Sequence, residues 1–82
     1  MSTNQLLILS EIRYPGETQS ALLGRLSSTY SIPLSTLRLH AHELKELGLI
    51  GVNSAKSDYN VVELTEGGRQ LMSLIGASTR DE

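Results

Sequence analysis

The sequence predicts an α+β domain: three consecutive helices, a two-stranded antiparallel hairpin and a closing helix. Three observations lead there. Apolar residues recur at helical spacing in three stretches between positions 3 and 47, with only short breaks between them. The period then changes at Leu49-Ile50-Gly51-Val52 and at Tyr59-Asn60-Val61-Val62-Glu63-Leu64, two runs that flank the polar turn Ser54-Ala55-Lys56-Ser57-Asp58. Helical spacing returns after Thr65.

The first helix is expected over about 3–13. Ser2 with Gln5 three positions on forms a capping-box pattern. Gln5, Leu6, Ile8, Leu9 and Ile12 share one arc of this helix, while Leu7 and Tyr14 fall on another side. Tyr14-Pro15-Gly16 breaks it. The second helix runs to about 30 with Thr18 as its N-cap. Leu22, Leu23, Leu26 and Tyr30 form its apolar stripe, and Gly24, Arg25 and Ser28 lie opposite. Ser31-Ile32-Pro33 is a turn, with Pro33 suited to the first helical position of the next element.

The third helix is expected over about 34–47, with Leu37, Ala41, Leu44 and Leu47 on its inner side. Gly48 is placed to end it in a left-handed conformation. Its outward arc holds Ser35, Arg38, Leu39, His42, Lys45 and Glu46. Thr65 caps the fourth helix, expected to about 77, with Leu71, Met72, Leu74 and Ile75 on one wide apolar face. Residues 1–77 thus read as one domain and 78–82 as a flexible acidic tail.

Composition narrows the function classes. The 82 residues suffice for one small domain. The only aromatics are three tyrosines, so the core must be aliphatic. With no cysteine, disulfides, thiolate zinc sites and a cysteine nucleophile are excluded. The longest apolar run, Leu6–Leu9, is far short of the roughly 20 residues that span a bilayer. No signal-peptide pattern is expected, and cytoplasmic residence is the default. The net charge is −2, with Asp81 and Glu82 supplying two of the nine acids. The remaining body is neutral, so the placement of its bases matters more than their number.

Three short motifs carry a resemblance: Ser35-Thr36-Leu37, then Leu44-Lys45-Glu46-Leu47-Gly48-Leu49-Ile50, then Leu64-Thr65-Glu66-Gly67-Gly68-Arg69. In this order and spacing they resemble winged helix-turn-helix regulators of the MarR and PadR type, over about residues 6–74. That resemblance implies a DNA-binding repressor whose third helix enters the major groove and whose wing, about 53–59, touches the backbone or minor groove. The larger members of those families carry long extra helices for dimerisation and ligand binding. None is evident here, and no cofactor is expected.

The residues support the same chemistry independently. In helix-turn-helix docking the recognition helix presents its N-terminal half to base edges. Arg38 suits a bidentate contact to guanine. Ser35 and Thr36, at the helix start, suit a phosphate or a base edge. Leu39 suits a thymine methyl, His42 a base or phosphate, and Lys45 a phosphate. Arg25 on the second helix and Lys56 at the wing tip are further candidate backbone contacts. Surplus apolar side chains on the outer helices, Leu7, Tyr14, Met72 and Leu74, suggest a homodimer interface.

Other residues of these elements point away from further chemistries. His40 lies on the inner side of the third helix as a structural histidine. It points about 160° away from His42, so the two cannot share a metal ion. Gly67-Gly68 lacks the glycine spacing of a phosphate loop and suits close backbone approach where the hairpin meets the last helix. No nucleophile–base arrangement or carboxylate pair is discernible, so an enzyme is not expected. The alternative function is a winged-helix protein-interaction module without DNA binding, favoured by the weak charge, Glu43, Glu46 and an exposed Leu39.

Overall fold

The computed structural model describes residues 2–12, 17–53 and 61–79. The chain is α+β, in the order α1 (Thr3–Glu11), α2 (Gln19–Tyr30), α3 (Leu34–Glu46), β1 (Ile50–Asn53), β2 (Val61–Leu64) and α4 (Glu66–Thr79). The two strands pair antiparallel, with Ile50 opposite Leu64 and Asn53 opposite Val61. No helix among the described residues is long and apolar enough to cross a membrane.

Local chemistry sets the helix boundaries. The capping box of α1 is complete: Gln5 N–H donates to Ser2 Oγ at 3.2 Å, and Ser2 N–H donates to Gln5 Oε1 at 3.0 Å. The helix ends at Glu11, short of the expected position 13, because Ile12 has left the helical region (φ −82°, ψ 80°). Thr18 caps α2 through Ala21 N–H at 3.1 Å. Ser31 closes α2 in the left-handed region (φ 56°). Ser27 Oγ braces that turn by donating to Ile32 O at 2.6 Å. Pro33 is the N-cap of α3, one position earlier than expected, with extended ψ of 137°.

The core is aliphatic throughout. Ile8 and Leu9 of α1, Leu22, Leu23 and Leu26 of α2, and Leu37, Ala41 and Leu44 of α3 close on Ile50 and Val62 of the hairpin. Burying such side chains is worth about 1.5–3 kcal/mol each for the larger ones, so this cluster fixes the three-helix arrangement. Two residues expected inside are outside. Tyr30 is 48% exposed and Leu47 is 62% exposed. Both stand where their helices stop. Tyr30 is the last residue of α2, and Leu47 is the C-cap of α3, where the chain turns away.

That turn is a Schellman motif. Gly48 N–H donates to Lys45 O and Leu49 N–H to Leu44 O, each at 3.0 Å, with Gly48 at φ 74°. The reversal brings Leu49, rather than Leu47, against the core. Thr65 then joins the end of α3 to the start of α4. Its Oγ1 donates to Gly48 O at 2.6 Å and accepts from Gly68 N–H at 3.1 Å, while its N–H donates to Leu49 O at 3.1 Å. Gly68 is buried there, and a Cβ at this position would overlap the Leu49 carbonyl oxygen. The expected close approach of backbone at the double glycine is therefore made by Gly68.

One pairing leaves no pattern in the sequence. Thr18 forms an antiparallel bridge with Val61, and Val62 N–H donates to Glu17 O at 3.0 Å. The segment entering α2 thus lies along β2, beside the hairpin. Two extended residues are too few to show a period of two. The first strand starts at Ile50, one residue later than expected; positions 59 and 60, where the second was expected to begin, lie outside the described residues. The last helix continues to Thr79, two residues into the expected tail.

Candidate nucleic-acid interface

Helix α3 divides cleanly into two sides. Leu37, Ala41 and Leu44 are buried, and Ser35, Arg38, Leu39, His42, Lys45 and Glu46 are exposed, as the helical period predicts. Thr36 is half-buried on the shoulder between them. At about 100° per residue, Leu39 stands opposite the buried stripe, at the crown of the open side. It is 57% exposed. Ser35, His42 and Glu46 lie beside it on the crown, and Arg38 and Lys45 share one flank.

Charge on this side is sparse and mostly uncommitted. Among the described residues, neither Arg38 nor Lys45 has an ion-pair or side-chain hydrogen-bond partner. His42 Nε2 lies 3.5 Å from Glu46 Oε1, both well exposed, a contact of little energetic weight. Within the described residues, the two cations can therefore meet an anionic partner without breaking an internal bond.

Glu43 belongs to the packing rather than to the open side. Its Oε1 accepts from His40 Nδ1 at 2.8 Å and from Gln5 Nε2 of α1 at 2.9 Å. The bond from His40 is the main reason its carboxyl titrates below the usual range, and the Gln5 bond adds to it. Gln5, expected within the apolar arc of α1, is half-buried and ties α1 to α3. His40 is the partly buried structural histidine expected from the wheel.

Arg25, expected as a phosphate contact, is engaged within the chain. Its Nε and one terminal nitrogen donate to the Glu17 carboxylate at 3.2 and 3.1 Å. Its other terminal nitrogen donates to Glu11 Oε1 at 2.7 Å, and a further bond reaches Glu11 O at 3.2 Å. Four of a guanidinium's five donors are thus occupied within the chain. These bonds hold the guanidinium charged well above its ordinary range. Arg25 clamps the end of α1 and the segment before α2 onto α2. The clamp could not be foreseen, because nothing in a helical wheel shows which acids a turn will bring alongside.

The remaining expected positions are spread over the surface. Lys56 at the wing tip and Tyr14 lie outside the described residues. Leu7 and Met72 are partly buried and pack against the core, so the monomer already uses much of their surface. Leu74 is 68% exposed on α4. The described residues hold no cluster of three or more histidines, aspartates or glutamates able to bind a metal ion. No family model, curated protein or solved structure matches the chain.

Proposed function

We propose that the protein is a sequence-specific double-stranded DNA-binding regulator of the winged helix-turn-helix type, a repressor acting as a homodimer. Helix α3 enters the major groove, and the wing, about 53–59, lies on the backbone or minor groove. The observation that carries this reading is the open side of α3: a crown of Ser35, Leu39, His42 and Glu46, with Arg38 and Lys45, which have no side-chain partner among the described residues, along one flank. A rod about 10–12 Å across fits a major groove about 12 Å wide. Such a side offers a groove what it can recognise: cations for phosphates and acceptor edges, a hydroxyl and an imidazole for hydrogen bonds, and an apolar group for methyls. The element order and the three motifs around α3 and α4 support the same reading.

Selection of bound sequences from random duplexes, followed by titration of the winner at several salt concentrations, tests it. A preferred sequence emerges and affinity falls as salt rises, with a slope set by the phosphates neutralised. Arg38→Ala weakens binding by about 1–3 kcal/mol and relaxes the preference at one position. An Arg38→Ala protein that selects the same sequence with the same affinity removes the role assigned to Arg38.

A second reading, a protein-interaction module, is favoured by one observation: Leu39 of α3 and Leu47, its C-cap, are both well exposed and apolar. It requires that no duplex bind even at low salt and that a stable complex form with a protein.

A further inference from the structure

Leu39 is anomalous among its neighbours. It stands 57% exposed on the crown of α3, the side opposite the buried Leu37, Ala41 and Leu44, which it shares with Glu46 two turns further on. The side chains that flank it on the open surface are all polar or charged: Ser35 one turn before, His42 and Glu46 after, Arg38 beside it. It makes no contribution to the core, which is complete without it. The crown of a helix lying in a major groove meets base edges, whereas its flanks meet the phosphate walls. Arg38 and Lys45 occupy one flank. What the crown offers at its centre is therefore an isobutyl group.

Only one feature of the major-groove floor is apolar: the methyl group on C5 of a pyrimidine. We infer, on the footing of the DNA-binding reading above, that Leu39 is a specificity-determining residue that takes a pyrimidine 5-methyl group at the centre of the bound half-site. The methyl has two natural sources, thymine and 5-methylcytosine. Removing it exposes no donor or acceptor, so its loss leaves the hydrogen-bonding pattern of the groove intact. Ser35 and His42 on either side would then read the neighbouring base pairs, and the methyl fixes the register between them.

The test uses the full chain and the duplex obtained by selection. Each thymine is replaced in turn by deoxyuridine, which lacks only the methyl. At one position this weakens wild-type binding about fourfold, the worth of one CH₂-sized group removed from water. Leu39→Ala, an exposed change to a good helix former, keeps the thermal midpoint, loses a similar factor and becomes indifferent to deoxyuridine at that position. A further pair of duplexes carries cytosine or 5-methylcytosine there. Tighter binding of the methylated form means the pocket accepts either source, and equal binding of the two, with thymine still preferred to deoxyuridine, means it accepts thymine alone. Both support the inference. Wild-type binding unchanged by every deoxyuridine, or the same methyl dependence in Leu39→Ala, overturns it while leaving DNA binding standing. Failure of the wild type to bind any duplex at low salt removes the DNA-binding reading and this inference with it.

Discussion

Glu43 shows how one side chain is turned from a surface acid into a structural joint. Its Oε1 receives bonds from His40 within α3 and from Gln5 of α1, so its ionised form is favoured in the folded protein. A depressed folded pKa has a definite consequence for stability. The contribution is complete above the ordinary carboxylate range, near 4.3 for a free glutamate, and is lost as pH falls through the lower folded value. Urea unfolding measured between pH 7 and pH 3 therefore gives wild type a steeper acid loss than Glu43→Gln. Parallel curves for the two proteins contradict the joint. Arg25 teaches the complementary lesson. A wheel places it on a polar side, and the fold then supplies Glu11 and Glu17 as partners from 14 and 8 residues away.

The helices and the hairpin were legible because their signals are local: capping residues, a 3.6-residue period, a change to β-branched runs, a glycine where α3 stops. Their ends were less so. Pro33 moves to the cap, and Leu47 points outward, because the Schellman reversal delivers Leu49 to the core in its place. The pairing of Thr18 with Val61 had no pattern to reveal it. Nor did the Gln5–Glu43 bond, made across 38 residues. The double glycine gives the sharpest test at this scale. Gly67 has room for a methyl, its nearest neighbours lying at 3.6 and 3.7 Å from an added Cβ, whereas Gly68 has none. Gly68→Ala is expected to lose about 1–3 kcal/mol through overpacking against Leu49. Gly67→Ala is expected to equal or slightly exceed wild type, through better helix propensity. Chemical denaturation midpoints decide it, and equal losses at both positions refute the close approach at Gly68.

At the scale of the molecule the balance of charge is the governing fact. A net charge of −2 gives little long-range attraction to DNA, so in the proposed role one copy making a few phosphate contacts would bind a half-site weakly. The proposed two-fold pairing would double those contacts and match a palindromic site. Leu74, exposed on α4, is the large apolar side chain most open to a second copy among the described residues. Analytical ultracentrifugation with a two-half-site duplex should find two copies bound together. Leu74→Glu should reduce that cooperation while leaving binding to a single half-site unchanged. Undiminished cooperation would place the interface elsewhere.

The assignment of α3 as the reading element has the most direct test of all. Backbone amide shifts are recorded by NMR as the selected duplex is added to labelled protein. The account predicts the largest changes at Ser35, Arg38, Leu39, His42 and Lys45, with the buried positions Leu22, Leu23 and Leu26 of α2 little affected. Saturating duplex that leaves the α3 amides in place, or moves a different surface instead, contradicts it.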